Sequence, residues 1–214
     1  MIEKTLPSTI TSVVATTEMW QQPCYPEEWA LVDNAVPKRQ KEFKAGRNCA
    51  RQALSQLGIE SHPVLSGSRR EPVWPECIVG SITHCKDYCA AALSTKSTFK
   101  AIGIDAEEKT PLDSDSLDLI CTQTEKTWLN KHGLADSYWS KVIFSAKESL
   151  FKCYYPLMHE YLDFLDAEFT LDPDNNTFSA SILGKPGETF NKNKPINGRF
   201  LIDDHYIYTS LVLA

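Results

Sequence analysis

Two periods alternate in the apolar positions of this chain, and the switches between them mark out its elements. From Pro37, the run PKRQKEFKAGRNCARQALSQLG places Phe43, Ala50, Ala53, Leu54 and Leu57 on one stripe of a 3.6-residue period, with Gly58 as a stop. The spacing predicts a helix over 37–57. Gly46 inside it costs about 1 kcal/mol relative to Ala. GSITHCKDYCAAALS reads as a hairpin, with strands 79–83 and 88–94 and a turn at Cys85–Asp87, and AIGIDAEE reads as a further strand. Residues 113–133 and 137–154 read as helices, the second with Val142, Ala146, Leu150 and Cys153 on one stripe. The tail supplies strand-like FTL, FSASIL, RFLI and HYIYTSLVLA, residues 7–37 read as short strands and loops, and 59–75 as loop. The sum is α+β with antiparallel character. A seam near 95–101 (STKSTFK) divides it into halves of similar size, 1–98 and 99–214.

Composition adds limits rather than elements. With 214 residues, 42% hydrophobic and 23% charged, the chain fits one large domain or two small ones. No stretch approaches the roughly 18 apolar residues of a membrane span. The first residues lack a basic region followed by an apolar run, so no secretory signal is expected. Seven cysteines without a CxxC pair suit free thiols in a reducing cytoplasm. The net charge of −6 argues against nucleic acid as a partner but leaves room for a local basic pocket.

Four constellations could carry chemistry, and each alone has an ordinary surface or core explanation. Asp105 and Glu107 in GIDAE lie two apart on a strand, so they share a face and repel unless a cation or protons intervene. Oxygen-only ligands of this kind suit Mg²⁺. Glu148 and Lys152 are i,i+4 on a helix, which is a plain ion pair if it faces water. Lys44, Arg47 and Arg51 are three and four apart and can point at one anion. Arg70 lies elsewhere in the chain, and guanidinium forks match phosphate oxygens. His84 follows Thr83 at a strand end. With Cys85 and Cys89 it gives only three zinc donors and no second pair, so zinc is not expected.

Taken together, GRNCARQAL (46–54), RREPVWP (69–75), GSITHCKDYCAAALS (80–94), GIDAEE (103–108) and FSAKESLFK (144–152) resemble the 4′-phosphopantetheinyl transferases in order and spacing, and within them the siderophore-type group of the enterobactin synthetase component D. The likeness covers residues 43–155. It implies two similar α+β subdomains related by a pseudo-twofold, with coenzyme A in the cleft between them. It carries Mg²⁺ binding onto Asp105 and Glu148, with Glu107 as ligand or water-holder. Phosphate and pantetheine contacts fall on Lys152, and the coenzyme A 3′-phosphate falls in the region of Arg47, Arg51, Arg70 and His84. The backbone around Ser81–Thr83 would line the nucleotide. Thr83 stands where the family often has Ser, which keeps the hydroxyl.

The implied reaction moves phosphopantetheine from coenzyme A to a serine of an apo carrier domain and releases adenosine 3′,5′-bisphosphate. Mg²⁺ or Mn²⁺ would screen the diphosphate. Lys152 would add a second cation, and Glu148 is the candidate base, directly or through water. The resemblance implies a carrier domain of a non-ribosomal peptide, polyketide or fatty-acid synthase as partner, with an acidic helix beside its serine, and a monomeric enzyme. Two alternatives stay open. A Mg²⁺-dependent phosphodiesterase or pyrophosphatase would use the same acids with water, and a non-catalytic coenzyme A-binding module would need only the arginines.

Overall fold

The computed structural model describes residues 1–192 and 194–214. Two antiparallel sheets carry the chain. The first has the order β1-β3-β2, built from β1 (Thr11–Val14), β2 (Ile78–Cys85) and β3 (Tyr88–Thr95). The second has the order β4-β8-β7-β6-β5, from β4 (Ala101–Glu108), β5 (Ala167–Asp172), β6 (Thr177–Ile182), β7 (Ile196–Ile202) and β8 (Tyr206–Leu213). This is the α+β class expected. The hairpin is in register with Cys85 opposite Tyr88, so only Lys86 and Asp87 turn the chain, with Lys86 in the left-handed region.

A short helix α1 (Pro26–Trp29) leads into the 20-residue α2 (Pro37–Gln56), which packs on β3. Its stripe is buried as the period predicts, with Leu57 at the partly buried edge. Gly46 lies on this face because a Cβ there would stand 3.0 Å from the Ile82 side chain. The close approach of helix to strand explains the residue that propensity alone disfavours.

The predicted helix over 113–133 is two, α3 (Ser114–Ile120) and α4 (Gln123–Lys131). Thr122 and Glu125 form a capping box between them, which starts a new helix in a new direction. The next helix, α5 (Trp139–Met158), is 20 residues long and packs on β4 and β8. Val142, Ala146, Leu150 and Cys153 are all buried in its core. It runs past the expected end and stops only after Pro156, at the left-handed His159. A last helix, α6 (Gly184–Asn191), forms in a stretch to which the sequence assigns no element, despite Gly184, Pro186 and Gly187.

Three apolar clusters result. One lies between α5 and the five-stranded sheet, one between α2 and the three-stranded sheet. The third joins the two sheets, with Ile2, Val79, Tyr88, Ile102, Ile104 and Tyr208 among its members. Gly103 is required at this junction, because a Cβ there would meet the Ser149 carbonyl oxygen at 1.9 Å. β4 therefore lies directly on the α5 backbone, and this brings Asp105 beside Lys152 and Glu148. Among the described residues, no helix is long and apolar enough to cross a membrane. The seven cysteines are all free.

Candidate active site

A cavity of about 450 Å³ opens between α2 and β2 on one side and β4 and α5 on the other. The α2 wall comes from one face of the helix. Arg39, Glu42, Phe43, Gly46 and Arg47 are spaced i, i+3, i+4, i+7 and i+8, and all five line the cavity. Arg47 is buried, with its guanidinium 4.3 Å from the centre of the Phe43 ring. Its Nη2 donates to Ser66 Oγ at 2.9 Å, while its Nε is buried without a partner among the described residues. Burial lowers its pKa to about 10, so it stays charged at neutral pH.

Beside it, Arg39 Nη1 lies 2.8 Å from His84 Nε2, and the His84 Nδ1 faces Glu42 at 3.5 Å. Burial, then the charges of Arg39 and Lys152, push His84 down to about 4. The imidazole is therefore neutral, and its Nε2 accepts the Arg39 proton. Arg69 and Arg70 reach the same cavity from the loop before β2, with Arg70 in the left-handed region. That loop crosses to the far wall. Ser68 Oγ is 3.3 Å from the Tyr155 hydroxyl, and Arg69 lies over Tyr161.

The opposite wall is acidic. Asp105, Glu107 and Glu148 all line the cavity, as the i,i+2 strand spacing and the α5 face require. Lys152 Nζ donates to Asp105 Oδ1 at 2.6 Å and to the Ile104 carbonyl at 3.3 Å. Thr83 Oγ1 donates to the same Asp105 oxygen at 3.1 Å. The other oxygen, Oδ2, is buried with no partner among the described residues. Burial, and next the Asp105 charge, push Glu107 up to about 7, although Lys141 stands 3.8 Å away. Burial also raises Glu148, with Asp105 adding to it and Lys152 opposing. On Lys152, burial works downward, but Asp105 and Glu148 outweigh it and the ammonium is raised. Three carboxylates, with Asp105 Oδ2 buried and uncommitted, offer oxygen donors of the kind that suits a hard dication. Among the described residues, no three acidic, His or Cys groups stand as a closed ligand set.

Of the predicted residues, Arg47, Arg70, Thr83, His84, Asp105, Glu107, Glu148 and Lys152 converge on this cavity. Arg51 does not. One turn beyond Arg47, it turns away to pair with the fully buried Glu28 and lies over the Tyr25 ring. Lys44 likewise lies over Trp29, not in the cavity. The cavity also takes in Arg39, Glu42 and Arg69, which sequence reasoning does not assign to the site. The signal for Arg39 and Glu42 is the i,i+3,i+4 face itself, which is polar and so drops out of an apolar count. A second cavity of about 170 Å³, lined by Leu150, Phe151, Leu162 and Phe164, shares Glu148 and Phe151 with the first.

Fold and site thus define an α+β protein whose cleft opposes fixed guanidinium groups to a row of carboxylates. The model of the 4′-phosphopantetheinyl transferase N-terminal domain matches residues 27–94, and that of the 4′-phosphopantetheinyl transferase superfamily matches 101–207. The chain is 40% identical to the 4′-phosphopantetheinyl transferase Svp of Streptomyces mobaraensis, over all of this chain and 89% of that one. It is 32% identical to PptT of Mycobacterium tuberculosis, over all of this chain and 98% of that one. The likeness to the enterobactin synthase component D of Escherichia coli is 39% over 58% of this chain and 59% of that one. The chain belongs to the 4′-phosphopantetheinyl transferase superfamily and is an enzyme of that activity. The family uses coenzyme A as substrate and carrier proteins as acceptors.

Proposed function

We propose that this enzyme transfers phosphopantetheine to carrier domains of a siderophore or other non-ribosomal peptide assembly line in the cytoplasm, with Mg²⁺ held by Asp105, Glu107 and Glu148. The observation that carries this reading is the buried, unpartnered Asp105 oxygen in the cavity that also holds the unpartnered Arg47 Nε. Bound at the acids, the metal would supply charge screening for the diphosphate. Arg47 and Arg39, with Arg70, hold the 3′-phosphate. His84 acts on it through Arg39, as acceptor of a guanidinium proton. That remote binding energy fixes the phosphorus bearing pantetheine in line with the incoming serine. The apolar second cavity takes the pantetheine arm.

In the transfer, the serine oxygen forms a bond to that phosphorus. The bond to the nucleotide 5′-phosphate oxygen breaks, and adenosine 3′,5′-bisphosphate leaves. Glu148 takes the serine proton directly or through a water, a role that competes with holding the metal. Lys152 offsets charge on the leaving oxygen. Residues 1–98 and 99–214 serve as the two working halves, which the two family matches on either side of this boundary support.

The test mixes enzyme, Mg²⁺, coenzyme A and a panel of apo-carrier domains and reads intact carrier mass. A gain of one phosphopantetheine on non-ribosomal carriers, lost in EDTA, is expected. Modification of fatty-acid carriers alone would overturn the assembly-line assignment. Consumption of coenzyme A without any carrier would favour the hydrolase reading.

A further inference from the structure

Thr83 and Asp105 sit on strands of different sheets, β2 and β4, and the two strands lie against each other without a backbone ladder among the described residues. Two hydroxyls take the place of the ladder. Ser81 Oγ accepts from the Ile104 N–H at 3.2 Å, and Thr83 Oγ1 accepts from the Ala106 N–H at 2.9 Å. Acceptors two residues apart on one strand thus serve donors two residues apart on the other, which fixes the register of the junction. The Thr83 proton then goes to Asp105 Oδ1. A hydroxyl that accepts from an amide and donates to a carboxylate is held from both sides. Thr83 is 1% exposed, and its branched Cβ restricts χ1 further. Lys152 engages the same Oδ1, so both attachments fall on one oxygen and Oδ2 is left uncommitted.

We infer that Thr83 is a positioning residue. Its hydroxyl fixes the Asp105 carboxylate so that Oδ2 is the oxygen available to the metal, and it ties that geometry to the register between the two sheets. The single proton of the hydroxyl is therefore committed to Asp105. This inference rests on the reading of Asp105 as a metal ligand.

The experiment compares wild type with Thr83→Val, Thr83→Ser and Asp105→Asn. Free Mn²⁺ is titrated by electron paramagnetic resonance in the presence of coenzyme A. Coenzyme A affinity is measured separately by calorimetry in EDTA, as a check that the cleft is intact. Thr83→Val should weaken Mn²⁺ binding about tenfold or more, the scale of losing a group that orients a ligand, and leave metal-free coenzyme A affinity within about twofold. Thr83→Ser should recover Mn²⁺ binding to within about threefold. Thr83→Ala replaces Thr83→Val if the latter does not fold. If Asp105→Asn binds Mn²⁺ as wild type does, the metal-ligand reading itself fails. If Asp105→Asn loses the ion while Thr83→Val keeps it, the positioning role alone is overturned. Thr83→Ser as weak as Thr83→Val also overturns it, because packing and not the hydroxyl is then what matters.

Discussion

The two walls of the cleft hold charge in opposite ways. On the α2 wall each cation is braced: Arg47 by Ser66 and the Phe43 ring, Arg39 by a neutral His84. On the β4–α5 wall the carboxylates crowd one another, and Glu107 is pushed up to about 7 by burial and Asp105. One wall presents fixed positive charge. The other stores repulsion that only further positive charge relieves. On the proposed function, binding and chemistry are thereby separated in space, and the separation makes the walls distinguishable by mutation.

The largest effect is expected at the acidic wall. Asp105→Asn should lower kcat by about 1,000-fold or more, since a lost metal ligand removes several kcal/mol of transition-state stabilisation. Metal-free coenzyme A binding should stay near wild type. A mutant that transfers at near wild-type rate would remove Asp105 from the metal site. Intact carrier mass over time reads the rate, and calorimetry reads the affinity.

Arg47 and Arg51 sharpen the comparison from within a single helix. Arg47→Ala should raise the KM for coenzyme A about 10- to 100-fold, the worth of a charged hydrogen bond, with kcat less affected. Arg51→Ala should leave that KM unchanged. It should instead destabilise the fold by about 3 kcal/mol, because the buried Glu28 loses its counter-charge and keeps only the Tyr25 and Val64 backbone N–H groups. Steady-state kinetics and urea unfolding separate the two. If Arg51→Ala raises KM without loss of stability, its side chain serves the substrate after all.

The same pair shows how far the sequence can be read. The spacing of Lys44, Arg47 and Arg51 permits a shared anion, but which of them meets the cleft depends on how α2 is rotated. A count of apolar positions does not fix that for charged residues at the edge of the stripe. Only Arg47 faces the cavity, while Lys44 lies over Trp29. Glu28, which claims Arg51, sits in a segment that reads only as short strands and loops, so its burial leaves no trace in the pattern. The hairpin, the GIDAE strand and α5 are legible because their periods are long and their cores apolar. Helix α6 is not, because its Gly and Pro residues hide a helix that tertiary packing sustains. Asp105 and Glu107 are legible as spacing and Glu148 through the resemblance, but their convergence depends on Gly103 letting β4 touch α5, a contact visible only in three dimensions.

The smallest expected effect tests the neutral state of His84 on the basic wall. Its folded pKa of about 4 lies below the ordinary value of 6.5. The folded protein therefore binds fewer protons than the unfolded chain between these values, so this contribution is complete above pH 6.5 and is lost as the pH falls toward 4. His84→Gln removes the titration. Wild type should therefore lose more Tm than the variant between about pH 7 and 4.5, by about 2–4 °C if screening at the partly exposed ring leaves about 1 kcal/mol. Glu107 works in the opposite direction, since its raised carboxyl favours the folded state in acid, but it is common to both proteins and cancels in the difference. Parallel Tm curves would mean that His84 titrates near its ordinary value. The Nδ1 proton faces Glu42 in either state, so a second proton on Nε2 would then displace the Arg39 contact already in mild acid.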